Sequence, residues 1–593
     1  MSSFLSIPHY SPFLVLLVGL STFVGLWGLG TVLLSVFRAR LPPPWDQVTA
    51  VLLGVQALSL TVQLAAMAEI ASVPLLCGIW WVLIAQGVFM LLMSARSTAF
   101  MRLLPTSTPC GPASLLIAVI AAAISINALV ALAPSTKIDE LYYHMLVPSR
   151  IVSDSMLRFY REPWLGAMWP QMVYQISAAP THALGFPDAM NVVSWALSMT
   201  LLWFAWQIIH AHANTLTWTA FCVASLCVGI YPVVWHVTGG AYAMGDLAMA
   251  AAVVAFCLRE RLLVAVRPLA FSLMLSIFLL SAATAKLSLV PISGVLLCAG
   301  LWPFLKSGPP RARLQVALAA AAPWIIFYCP IVLWTWTHAG SPFGPILKGL
   351  NNFQVERNMG ELPLFMARNI ALGYSPLIWL GAIGAIFAPG LEKARRIFLG
   401  CLVALQCVLI SWLLPYDARY FTLHYGLFIV FAFFGPFAIP QQLCSVRKAL
   451  LAASVFLLPW LAIQLYYARQ FFLVSTGLEK DSFYKRNVAF YSDYVELDRL
   501  LSKDTVLLFF APGFRMSAVY APRRIFLDPA DLPPGKSVAL ITLQDTVPGD
   551  VLNKFKIGEE IYKDPQAVIG AYRTPGRAPL IGPLNVVKLV ETE

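Results

Sequence analysis

Charge is what this chain has least of. Only 11% of its 593 residues are Asp, Glu, Lys or Arg, where a soluble fold carries roughly a quarter. With 59% hydrophobic residues and a mean hydropathy of +0.76, a water-soluble core of this size is excluded. Cysteine is absent from residues 134–188 and from everything after residue 467, so no disulfide framework or zinc-type spacing can be drawn there. Also missing are a G-x-G-x-x-G turn leading from strand to helix, a Walker sequence and a G-x-S-x-G elbow. Nucleotide chemistry of the usual kinds therefore has no loop to sit on.

What the chain has instead is apolar runs of membrane length. A helix needs about 20 apolar residues to cross the hydrocarbon layer. Fourteen such spans are expected, near 11–37, 47–68, 71–93, 113–133, 189–209, 217–236, 242–258, 268–284, 287–305, 314–337, 370–389, 397–414, 420–439 and 449–467. The leader MSSFLSIPHYSP has no basic residue, so the first run reads as a span and not as a cleavable signal. The fold class expected is an α-helical polytopic membrane protein with a small C-terminal α/β domain.

Short alternate loops hold Arg38 and Arg40, Arg96 and Arg102, Arg259, Arg261 and Arg267, Lys306, Arg311 and Arg313, Lys393, Arg395 and Arg396, and Arg447 and Lys448. Against these stand only Asp46, Glu260 and Glu392, a surplus equal to the net charge of +12 for the whole chain. The positive charge is thus a topology signal and not a nucleic-acid surface. It assigns these loops to the cytoplasm. Loops 134–188 and 338–362, the Pro415–Arg419 turn and the tail after 467 then belong on the extracytoplasmic side.

Three regions follow. Residues 1–110 form a three-span extension with Glu69 near an outer boundary. Residues 111–467 hold the remaining spans and the long outer loops. Residues 468–593 form the soluble domain, with a helix at SDYVELDRLLS, whose Tyr494, Leu497, Leu500 and Leu501 share a face. Strands are expected at TVLLFFAP, RRIFLD, SVALITLQ and LNVVKLV. No repeat links the two halves of the membrane part.

Charges at the bilayer boundary cost about 2.5–3.5 kcal/mol each, so they persist where they pair or function. Asp139 and Glu140 follow an uncharged span at once, in KIDELYYHMLVPSR. Two adjacent carboxylates raise each other's proton affinity, which suits a general base; a solvated loop start is the plainer reading. The rest of that loop alternates apolar and aromatic residues with charges, as an interfacial helix would, with Trp164 and Trp169 at headgroup level. Asp246 lies one turn inside an apolar span, where Lys286 is the expected partner. Arg419 begins a span beside Asp417, either as a site cation or as an interfacial anchor. His144, His236, His338 and His424 lie near the outer surface without metal-ligand spacing.

The series DELYYHMLVPSRIVSDSMLRFY, WPQM, AYAMGDLAMA, AKLSLVP, SPFGP and DARYFTLHYG, over roughly 111–520, resembles bacterial GT-C superfamily membrane glycosyltransferases. These are related to protein O-mannosyltransferases and the lipid A aminoarabinose transferase. The resemblance implies a polyprenyl-phosphate sugar donor and a lipid, glycan or protein acceptor. It places the catalytic base at Asp139, with Glu140 beside it, and donor-phosphate cations at Lys286 and Arg419. Tyr142, Trp164 and Tyr242 would line the sugar and prenyl path, and Tyr143, His144, Arg150, Asp246 and Tyr416 complete the substrate-binding set. A second acidic position falls on Asp154 or Glu162. No cofactor is required by the resemblance, and a divalent cation (Mg or Mn) is the candidate companion of the phosphate. The chain departs from the family in the three spans that precede the core. A transporter or flippase of a lipid-linked or anionic substrate is the competing reading, and a non-enzymatic scaffold the third.

Overall fold

The computed structural model describes residues 11–95, 112–137, 139–158, 169–213, 216–342, 359–361, 363–364, 373–413, 418–435, 443–510, 518–543, 547, 549–571 and 577–591. Among the described residues, nine helices are long and apolar enough to cross a membrane. They include α1 (Pro12–Val36), α2 (Trp45–Met67), α3 (Val73–Ala95) and α4 (Pro112–Ala131). After the short α5 (Leu146–Asp154) and the long α6 (Ala189–Ala213) comes α7 (Leu216–Cys227). Next are α8 (Tyr242–Cys257), α9 (Pro268–Ala285), α10 (Val290–Ser307) and α11 (Pro310–Ala339), the last interrupted by a π-helical stretch at Trp324–Tyr328. The bundle closes with α12 (Pro376–Ile386), α13 (Lys393–Leu413), α14 (Leu423–Phe434) and α15 (Leu443–Ala468).

Four expected spans are shorter than fourteen full crossings require: α7, α8, α12 and α14 have 10–17 residues each. The cause is local. After Cys227 the chain turns at Gly229, whose φ of 145° only glycine adopts readily, and continues as a π-turn at Pro232–His236. Helix α8 is buried along its entire length. Its 16 residues reach about 24 Å, less than the ~30 Å hydrocarbon layer. Its alanines let α6, α9 and α14 approach closely. Tyr242 stands at one end of α8; at the other, Arg395 pairs with Glu260 and donates to the Cys257 carbonyl at 2.6 Å.

The first three helices are not peripheral. A Cβ on Gly30 would lie 1.7 Å from the Ala50 carbonyl oxygen, so glycine is what lets α1 and α2 touch. The Gln56 amide of α2 donates to Thr284 (2.9 Å) and Ser281 (3.3 Å) on α9.

The C-terminal domain carries α16 (Tyr491–Leu500) and five strands, β1 (Thr505–Phe510), β2 (Ile525–Phe526), β3 (Ser537–Thr542), β4 (Phe555–Gly570) and β5 (Leu580–Glu591), in the order β2-β1-β3-β5-β4. Strand β1 runs parallel to β2 and β3, whereas β5 is antiparallel to β3 and β4. Tyr494, Leu497 and Leu501 are buried as the helical period expects; Leu500 is 54% exposed and leaves that face. Strand β4 was not expected from its charged sequence. It is the outermost strand, and charge and Pro565 are tolerated on an edge.

Candidate functional site

From α4 the chain passes over the buried Asp188, whose carboxylate accepts the Ser135 backbone N–H at 2.9 Å. Asn191 donates to the Ser135 hydroxyl at 3.1 Å. This anchors the loop just ahead of Asp139, which caps a π-helical turn at Glu140–His144. Asp139 is 6% exposed, and its Oδ2 accepts from Arg419 Nη1 at 3.2 Å. Arg419 stands in the 3₁₀ turn Ala418–Tyr420 immediately before α14, 280 positions away in the chain.

Lys286 arrives from a third direction. It ends α9 in an extended conformation (φ −154°, ψ 122°) and donates its ammonium to the Arg419 carbonyl. Its Nζ lies 4.6 Å from the ring centre of Tyr242, the first residue of α8, and 5.0 Å from that of Tyr420. Arg419 Nη1 donates to the Tyr242 hydroxyl at 3.3 Å, and its guanidinium lies 4.4 Å from the Trp235 ring centre. A further cation, Lys137, sits 2.6 Å from the Trp235 ring centre and 5.2 Å from that of Tyr242. Lys137, Lys286 and Arg419 thus gather around one tyrosine ring. Aromatic faces attract each of them, and among the described residues Asp139 is a carboxylate paired with Arg419.

Lys137 and Trp235 were not singled out in the sequence. Lys137 carries the signal that found Asp139, a charge directly after an uncharged span, only two positions earlier. Trp235 could not be placed, because its role depends on the π-turn.

The other expected residues divide. His144 borders the cluster: it is bonded to the Gln175 amide at 2.7 Å and meets Tyr242 edge-on at 5.9 Å. Burial holds its imidazole down to about 3, so it is neutral at physiological pH. Glu140 is 1% exposed. It bears on Asp188, whose carboxyl is raised to about 6 by burial and, less strongly, by Glu140. Asp246 does not pair with Lys286; it is hydrogen-bonded to His236 Nε2 at 2.7 Å, one helical turn beyond Tyr242 in α8. The π-turn delivers His236 to it, and His236 adjoins Trp235.

Arg150 turns away as well, donating to the Ile525 carbonyl in β2. Asp154 is held by Arg524 at 2.6 and 2.8 Å. The Tyr142 and Tyr143 backbones lie in the π-turn. Trp164, Tyr416, Asp417 and Glu162 lie outside the described residues.

Among the described residues, no three His, Cys, Asp or Glu side chains come together as a metal-ligand group. At the Asp139 cluster a divalent cation would need oxygen ligands besides Asp139. Comparison with known proteins finds no matching family and no matching characterised protein. The functional argument therefore rests on the geometry.

Proposed function

We propose that the chain is a membrane glycosyltransferase that moves a sugar from a polyprenyl-phosphate donor to a hydroxyl of a cell-envelope acceptor, with inversion at the anomeric carbon. The observation that carries this reading is the gathering of Lys137, Lys286 and Arg419 around Tyr242, with Asp139 against Arg419. Cations gathered beside a carboxylate suit an anionic guest, and a lipid phosphate is met where apolar helices end and polar loops begin.

In this reading the face that carries the sheet domain is extracytoplasmic. The donor phosphate enters among the three cations and competes for the Arg419 guanidinium, releasing Asp139 from its ion pair. Asp139 then takes the proton of the acceptor hydroxyl as that oxygen attacks the anomeric carbon. The bond from that carbon to the phosphate oxygen breaks, its electron pair leaves with the polyprenyl phosphate, and the fixed cations stabilise the charge that builds there. His144, neutral and bonded to Gln175, holds the Tyr242 wall in place. Asp246 and His236 take no part in the chemistry.

The test is purified protein in detergent, offered a panel of radiolabelled polyprenyl-phosphate sugars with envelope acceptors and scored for release of lipid phosphate. Transfer by the wild type that vanishes in Asp139→Asn supports the reading. Movement of an intact lipid-linked substrate across a vesicle membrane, with no bond broken, would replace it by transport.

A further inference from the structure

The segment that carries Asp139 is gripped by the C-terminal domain along its length. Leu141 and Met145, just after the carboxylates, are buried in the same apolar cluster as Tyr484, Tyr491 and Tyr520 of that domain. Tyr520 donates its hydroxyl to the Ser135 carbonyl at 3.0 Å, ahead of Asp139. Further along, Arg150 on α5 donates to the Ile525 carbonyl, and its guanidinium stands 5.7 Å from the Phe526 ring centre. At the end of α5, Arg524 takes both carboxylate oxygens of Asp154 and lies 5.1 Å from the same Phe526 ring. Arg524, Ile525 and Phe526 are consecutive, so the short strand β2 and the residue before it meet α5 at two points. Beyond α5, Ser155 accepts from the Ala71 N–H and Leu157 donates to the Ala66 carbonyl, each at 3.0 Å, which fixes the far end on the first three helices.

We infer that the C-terminal domain sets the position of Asp139, and that Arg524 is a positioning residue which acts through Asp154 and α5. A bidentate guanidinium–carboxylate pair fixes orientation as well as distance. Asp154 is the right anchor for it, because the only rigid element between Asp154 and the π-turn is α5. A base displaced by about 1 Å loses on the order of a hundredfold in rate, so a contact this far from the reacting atoms can still govern turnover. The structural half of the inference stands on the contacts alone; the kinetic half rests on the glycosyl-transfer reading.

The experiment compares wild type, Arg524→Ala, Arg524→Lys and the exchanged pair Asp154→Arg/Arg524→Asp, each as the full chain in detergent. Two quantities are read: amide hydrogen exchange across 139–154, and initial transfer rates at varied donor. The expected result for Arg524→Ala is exchange at 139–150 faster by about tenfold or more and kcat lower by roughly 10–100-fold, with donor KM within about threefold. The exchanged pair recovers much of both, and Arg524→Lys falls between. Unchanged exchange at 139–150 in Arg524→Ala overturns the inference. So does loss in Arg524→Ala that the exchanged pair fails to restore while its domain remains folded by near-UV circular dichroism. If the wild type transfers no sugar, the proposed function fails on its own, and the exchange data still decide whether the domain holds the segment. Should Arg524→Ala not fold, Arg524→Lys and the exchanged pair carry the same comparison.

Discussion

Two buried carboxylates share the neighbourhood of Tyr242, and they are kept very differently. Asp246 meets His236 at 2.7 Å, a closed pair of one acid and one imidazole within the bundle. Asp139 meets Arg419 at 3.2 Å among two further cations. The first arrangement is balanced and has a purely architectural use: it ties the π-turn to α8 and so sets Trp235, on which Lys137 and Arg419 rest. The second gathers three cations from separate parts of the chain around one tyrosine ring. Buried ion pairs contribute little net stability against apolar replacements, while removal of one partner is costly.

The comparison breaks most visibly if the two acids are swapped for neutral residues. Asp139→Asn should lower the transfer rate by about 10²–10⁴-fold, beyond any loss of thermal midpoint from weakening the Arg419 pair. Asp246→Leu should leave the transfer rate of the folded protein nearly unchanged while costing about 1–3 kcal/mol of stability by leaving His236 without its partner. Equal effects of both variants on rate and stability would erase the distinction.

The cation cluster itself is tested by Lys137→Met and Lys286→Met. Loss of one phosphate contact should raise donor KM roughly tenfold to a hundredfold, about 1.5–3 kcal/mol. Stability should hold or rise, because repulsion within the cluster is relieved. A fall in stability with unaltered KM would make these lysines structural.

Arg419→Ala sharpens the acid's side of the pair. Removing an adjacent opposite charge raises a carboxylate's proton affinity by about one to three pH units. The acid limb of the pH–rate profile should move up by that amount, and an unmoved limb would detach Arg419 from Asp139.

The smallest effect concerns a third buried acid, with a tyrosine and a carboxylate as its neighbours. Asp493, in the sheet domain, is bonded to Tyr562 at 3.1 Å and raised to about 7 by burial, with Asp564 adding to the shift. Its carboxyl favours the protonated form in the fold. The stability it lends is complete below an ordinary Asp value and is lost as pH rises through about 7. Asp493→Asn should flatten that loss between roughly pH 4 and 7, as read by domain unfolding at each pH.

Much of the cluster was legible in the sequence because a charge at the end of an uncharged apolar run stands out. Asp139, Lys286 and Arg419 each carry that mark, and the structure brings them together. Pairing was less legible. Lys286 looked like the natural partner of Asp246 by depth, whereas a five-residue π-turn supplies His236 from ten positions upstream. Hydropathy placed the helices and gave α8 its length, but α7 and α12 end at Cys227 and Ile386, short of the expected 236 and 389, at turns that a run of apolar letters does not reveal. Strand β4 escaped because an edge strand has little need of the alternation that marks a half-buried one.

The amide of Gln56 has a consequence for anyone who would trim this protein to a minimal core. It satisfies Ser281 and Thr284 two to five positions before Lys286. A chain cut near residue 111 would turn those hydroxyls toward hydrocarbon and leave the end of α9 to settle elsewhere, carrying its ammonium with it. The extension is better regarded as a wall shared with the site than as an annexe.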